Sequence, residues 1–337
     1  MRCSLTMCLQ VLWLSTLQLL HQSTIKIMEL QCGNCCGMLS AYLKFRCNEH
    51  GREDCTMTSS VESSFHSACL IWQDPGRILL HIVTDALNYP AMMMWFLTNP
   101  PTPSVIQIQS LDDLKWLPGD FSSRFKLKGV RDPRYTSALN HLRFYLPEVF
   151  PSLSKVLLLD HDVVVQNDLS GLWDLDMKGK VTGAVDTCTS SEGFRQLDSL
   201  IDFSNPSVFN ELDPKACAFA FGMNIFDLNE WRKQGLSTTY HRWFQLGKSE
   251  KLWKAGSLPL GQVVFYNRTL PLDHRWHVLG LGHDSSIGRD ELESASVIHY
   301  SGKLKPWLEI SIPKYRGYWN RYLNYDNPHL QQCNIHG

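Results

Sequence analysis

Asp160 and Asp162 flank His161 directly after the apolar run Val156, Leu157, Leu158, Leu159 and before three valines. Where a strand has just ended, extended backbone can turn two carboxylates spaced i and i+2 toward one cation. Val164 and Val165 stand where an EF-hand loop needs another oxygen ligand and a glycine, which excludes calcium binding of that type. The remaining chemistry is a hard divalent cation, magnesium or manganese, held by few protein ligands and shared with phosphate oxygens. Far along the chain, His299-Tyr-Ser-Gly302-Lys-Leu-Lys305-Pro306-Trp307 follows another short apolar run. Imidazole suits manganese, lysine suits phosphate, and glycine permits a close backbone approach. Each part alone has an ordinary reading, since D-x-D is common and a strand-end histidine is more often structural. Together, two aspartates, a histidine and a lysine would neutralise a diphosphate leaving group.

Those residues need a scaffold that delivers them to one edge. The 337 residues carry 32 Lys+Arg and 33 Asp+Glu, a net charge of 32 − 33 = −1, with 44% hydrophobic and 19% charged residues. These numbers describe a globular chain with a substantial core, argue against disorder and fibrous structure, and supply no general electrostatic drive toward nucleic acid or anionic membrane. From about residue 75, short apolar runs alternate with helical patterns and turn residues, the signature of an α/β protein with a mostly parallel central sheet. Four runs read as buried strands: 78–83 ending at Asp85, 156–159 ending at Asp160, 181–185 ending at Asp186, and 296–298 ending at His299. Ligands of open α/β sheets bind beyond the carboxyl ends of strands, so this row of polar ends marks a site; the plainer alternative is that Asp caps a helix or forms a turn. Residues 136–146 read as a helix with Ala138, Leu139, Leu142 and Tyr145 on its apolar face, stopped by Pro147, with Arg143 beside that face near the strand ends.

The amino-terminal stretch is different in texture. Residues 5–20 form a mostly apolar run of signal-peptide length, shorter than a membrane span and interrupted by Gln10, Ser15, Thr16 and Gln18; a signal or weak anchor and an irregular extension are the two readings. Seven of the eleven cysteines fall in the first 55 residues, and Cys32, Cys35, Cys47 and His50 have a spacing able to wrap zinc, against coincidence in a cysteine-rich stretch. Asn267-Arg-Thr is the single open glycosylation sequon, because Pro206 blocks Asn205-Pro-Ser. The basic cluster 124–134 reads as a solvated loop or as a patch for an acidic sugar polymer.

With these residues in view, the sequence from roughly Val61 to Gly337 resembles the retaining nucleotide-sugar glycosyltransferases of family 8, and among them the plant galacturonosyltransferases that make pectin. The resemblance runs through HIVTDALNYPAMMMWFL, RDPRYTSALNHLRFYLPEVFP, DHDVVVQNDLSGLW, GKVTGAVDTC, ACAFAFGMNIFDLNEW, RWHVLGLGHD and HYSGKLKPWLEI. It implies a GT-A type, Rossmann-like nucleotide-sugar-binding fold with Mn2+ held by Asp160, Asp162 and His299. It implies that Lys305 contacts the diphosphate, Gly302 gives the close backbone approach and Arg143 lies near the donor. Asp186 corresponds to an acidic position near the transferred sugar, where relatives often carry Glu, and Asn224 to a position lining the donor sugar, with a buried turn residue as the other reading. The implied reaction moves galacturonate from UDP-galacturonate to homogalacturonan with retention; front-face displacement is preferred, because no glycosidase-type carboxylate pair can be identified from spacing.

The resemblance further implies residence in the Golgi apparatus, where Asn267 could be glycosylated and Cys188, Cys217 and Cys333 could pair, and other galacturonosyltransferases as complex partners. Residues 57–337 are expected to form the catalytic domain, preceded by an atypical segment 1–56. Relatives open this domain with an apolar strand ending in Asp-Asn; here Asp54 and Cys55 fall at that place behind a hydrophilic RCNEHGRED. A chain without that strand leaves two other readings open, a catalytically inactive scaffold of a polysaccharide-synthesising complex and a related transferase using another UDP-sugar. A zinc-binding module over residues 32–50 ranks behind them.

Overall fold

The computed structural model describes residues 78–86, 88–98, 105–117, 121, 138–188, 195–253, 256–323 and 325–326, together with the backbone of 25–30. The apolar run 5–20, the cysteine pairs between 32 and 50, Asp54, the basic cluster 124–134 and Cys333 lie outside the described residues.

The aliphatic and β-branched runs form strands, as their composition dictates. Seven build one sheet in the order β3-β2-β1-β4-β7-β6-β8. They are β1 (Ile25–Leu30), β2 (Ile78–Thr84), β3 (Val105–Ser110), β4 (Lys155–Leu159), β6 (Thr182–Ala184), β7 (Met223–Asp227) and β8 (Thr269–Pro271). β2 is parallel to β3 and β6 to β8, whereas β1 runs antiparallel to β2 and β4, and β7 antiparallel to β4 and β6. Five strands therefore share one direction, and the carboxyl ends of β2, β4 and β6 meet at one edge with Asp85, Asp160 and Asp186. The fourth expected strand goes elsewhere. β9 (Val297–His299) pairs antiparallel with β5 (Val163–Val165) in a separate two-stranded sheet.

β4 shows why the sheet is stable. Val156 and Leu158 enter a core that includes Phe144, Phe226, Trp231, Tyr240 and Phe265, while Leu157 and Leu159 enter a second with Ile82, Val163, Val185 and Ile225. Each fully buried aliphatic side chain contributes about 1.5–3 kcal/mol, and β4 buries both faces. A third cluster packs Val164, Ile298 and Tyr300 against Tyr315 and Trp319 of the helix Pro313–Asn320, anchoring the small sheet.

Two expectations need correction. Pro147 does not stop the helix: Leu139–Leu142 passes through a 3-10 turn, Arg143–Tyr145, into a further helical turn Leu146–Val149 that has Pro147 in its first positions, where a missing N–H costs nothing. The place between β2 and β4 is not left open either. β1 pairs with both neighbours, Ile25 opposite Val83 and Lys26 opposite Leu159, so a strand of reversed direction meets the backbone groups there.

Candidate active site

Strand register brings the two distant motifs together. Because β5 begins directly after Asp162 and runs antiparallel to β9, its first residue, Val163, lies opposite the last residue of β9, His299. The Tyr300 N–H donates to the Asp162 carbonyl at 2.9 Å, and the His299 ring reaches the Asp162 carboxylate, Nε2 to Oδ1, at 3.1 Å. Gly302, at φ +106, then reverses the chain so that Lys305 returns, its Nζ donating to the Tyr300 carbonyl at 2.9 Å and to Asp162 Oδ2. A Cβ on Gly302 would lie 2.7 Å from the Gly282 carbonyl, so both the positive φ and the contact require glycine. The ligand atoms of Asp160, Asp162 and His299 lie within 4.8 Å of one another. Two carboxylates and one imidazole converging on one point form a donor set suited to a divalent cation of the magnesium or manganese type. The intervening His161 is buried, its ring centroid 6.0 Å from that of Trp307.

The electrostatics are unequal across the pair of aspartates. Burial alone would raise the Asp162 carboxyl, but the Lys305 ammonium and His299 hold it well below the usual carboxylate range. Asp160 is raised, chiefly by burial and also by repulsion from Asp162, against the pull of Arg143. His299 is raised although burial opposes it, because Asp162 faces it through both charge and hydrogen bond. The site is thus a compact set of compensating charges.

Arg143 is 5% exposed; its Nη1 donates to the Phe221 carbonyl at 3.3 Å, its Nη2 reaches Asp160 at 3.5 Å, and its guanidinium sits 4.6 Å over the Phe221 ring. The adjacent Gly222 carbonyl accepts the Asp160 N–H at 2.9 Å. A Cβ on Gly222 would fall 2.2 Å from the His299 ring and 3.2 Å from His277, so backbone floors both imidazoles. Asn224 is brought beneath this region rather than onto its surface: it is 2% exposed, with Nδ2 donating to the Ala220 carbonyl. Its Oδ1 and Arg143 Nε have no hydrogen-bond partner and both residues line a cavity of about 10 Å³, the size of one water.

Asp186 follows β6 at the same sheet edge, half-buried, with Oδ1 accepting the Cys188 N–H at 3.1 Å. Cys188 is joined to Cys217 by a disulfide, which fixes the segment that carries Asp186. Asp85 takes the plainer alternative, accepting the Asn88 N–H at 2.8 Å to start the helix Tyr89–Thr98. Sequence reasoning missed His277 and Gly222. His277 sits in RWHVLGLGHD and Gly222 in FGMN, but no spacing connects either to His299. Only the chain beside β9 does so, with the His299 N–H donating to the Val278 carbonyl at 2.8 Å.

Known proteins resemble this chain in sequence and in fold. The profile of glycosyl transferase family 8 matches residues 93–311. The chain is 50% identical over 283 residues to a protein of Arabidopsis thaliana described as probable galacturonosyltransferase 4, covering 77% of this chain and 46% of that protein. It is 52% identical over 265 residues to probable galacturonosyltransferase 5 of the same plant, covering 78% and 43%. The chain thus spans less than half the length of these relatives. Among solved structures, the WbbM bifunctional glycosyltransferase superposes with a TM-score of 0.56 at 17% identity over 82% of this chain and 49% of that one. The apo form of GlyE from Streptococcus pneumoniae gives 0.52 at 16% identity over 78% and 56%. These likenesses establish the GT-A type, Rossmann-like architecture expected from the sequence.

Proposed function

Since the chain belongs to glycosyl transferase family 8, we propose that it transfers galacturonate from UDP-galacturonate to homogalacturonan, in pectin synthesis, with retention at the anomeric carbon. The observation that carries this reading is the convergence of Asp160, Asp162, His299 and Lys305. Asp160, Asp162 and His299 would hold Mn2+, which when bound supplies Lewis-acid stabilisation of the diphosphate. Lys305 donates to the leaving diphosphate as its charge grows, with Arg143 supporting the donor side of Asp160. Gly302 allows the diphosphate to approach the turn, and Asp186 stands beside the sugar being transferred. Asn224 contributes from below, as the floor under Arg143.

Residues 57–337 are assigned as the catalytic domain, with β1 lent to its sheet by the segment 1–56. The disulfide supports residence in an oxidising compartment, and the Golgi lumen is the one proposed. Among the described residues no helix is long and apolar enough to cross a membrane. Other galacturonosyltransferases are the proposed complex partners. Calorimetric titration of UDP with and without Mn2+, using Asp162→Asn as control, tests the donor site, and competition among UDP-sugars tests the donor sugar. Manganese-dependent binding lost in the variant, with preference for UDP-galacturonate, is expected. Folded protein that binds no UDP would overturn the reading.

A further inference from the structure

His277 is fully buried, and no step of the transfer uses it. Its Nε2 lies 3.1 Å from Nδ1 of His299, whose other nitrogen faces Asp162. The ring planes are within 13° and the centroids 5.2 Å apart, an end-on arrangement too distant for face-to-face contact. Neighbouring backbone fixes this arrangement. His277 closes the 3-10 turn His274–Trp276, and the Val278 N–H donates to the Val297 carbonyl at 2.9 Å, so residue 277 runs alongside β9. Gly222 packs against both rings where they meet, leaving no room for a methyl group.

We propose that His277 is a positioning residue for the cation site, accepting the Nδ1–H of His299 and so keeping the Nε2 lone pair directed at the cation. The inference rests on the reading that Asp160, Asp162 and His299 bind a divalent cation. An imidazole that ligates through Nε2 carries its proton on Nδ1, and that buried proton needs an acceptor. Among the described residues, the acceptor within reach is His277 Nε2. His277 must then be neutral with its own proton on Nδ1, an atom that has no hydrogen-bond partner. A buried unpartnered N–H is a standing cost that phenylalanine or leucine would avoid, which argues that the imidazole is kept for what its other nitrogen does.

The test measures Mn2+ affinity by the electron paramagnetic resonance of free Mn2+, without substrate, in wild type, His277→Phe, His277→Gln and Asp162→Asn. Each variant is also followed by thermal melting without metal. Loss of the hydrogen-bond partner of a metal-ligating histidine typically weakens metal binding about 10–100-fold. His277→Phe is expected to weaken Mn2+ by that factor while melting cooperatively, and His277→Gln, which retains an acceptor, to recover most of the affinity. Wild-type affinity in folded His277→Phe would overturn the proposal. Equal losses in His277→Phe and His277→Gln would also overturn it, since the acceptor would then be irrelevant. If His277→Phe does not fold, the His277→Gln affinity and the nitrogen shifts of 15N-histidine-labelled wild type decide: with Mg2+ added, His299 must show a protonated Nδ1 coupled to His277. A proton on Nε2 of His299 would contradict the role. Wild type that binds no Mn2+ would instead overturn the cation reading beneath it.

Discussion

Asp162 is the residue on which the site turns, because it meets Lys305, His299 and the Tyr300 backbone at once. Lys305 balances that buried carboxylate, and in the proposed reaction it would also present an ammonium to the diphosphate. Lys305→Ala should therefore lower kcat by about 10²–10³-fold, the loss expected for one donor aimed at developing charge. It should also destabilise the fold by a few kcal/mol, because Asp162 is left buried beside one fewer cation. Steady-state kinetics and thermal melts of the same preparation check both. His141 makes a second residue-scale prediction, away from the chemistry. Burial, with Arg143 nearby, lowers it from 6.5 to about 3. Such a group binds its proton more readily unfolded, so the stability it contributes is whole above about pH 6.5 and is lost as pH falls toward about 3. Urea unfolding at pH 7 and pH 4.5 should show wild type losing on the order of 2–3 kcal/mol more than His141→Gln. Equal losses would contradict the assignment.

At the scale of elements, the disulfide ties the segment after β6 to the one before β7 across a separation of 29 residues. Reduction should lower stability by about 3.6 kcal/mol on loop-closure grounds. It should also raise the KM for donor more than it lowers kcat, since Asp186 stands two residues from Cys188; melts and kinetics with and without dithiothreitol measure this. The elements differ in how far the sequence revealed them. β4 was legible because an unbroken aliphatic run buried on both faces leaves few alternatives, and β2 and β6 because short, mostly apolar runs end at an aspartate. The β5–β9 pairing was not, since three valines after a D-x-D say nothing of a partner more than a hundred residues away. Pro147 was misread because proline ends one helix and begins another equally well, and the preceding 3-10 turn decides which. The metal-ligand candidates were legible through motif and resemblance; His277 and Gly222 became visible only when β9 was placed beside residue 278.

Across the whole molecule, a mixed sheet with five co-directional strands gathers Asp160 and Asp186 at one edge, and a small second sheet with the turn that follows it brings His299 and Lys305 to Asp162. β1 enters this sheet against the direction of β2 and β4, so its amino end, and not a strand's carboxyl end, faces the site edge at that place. The family profile, the GT-A architecture and the relatives in Arabidopsis thaliana point the same way, although the chain spans less than half of those relatives. Under the proposed function, this chain itself would carry a working cation-assisted transferase site. The most direct test of that claim is mass spectrometry of homogalacturonan oligosaccharides incubated with UDP-galacturonate, Mn2+ and the full chain. Extension by single galacturonate residues, abolished by chelation and by Asp162→Asn, is the predicted result. No extension by folded protein that binds UDP and Mn2+ would contradict the account.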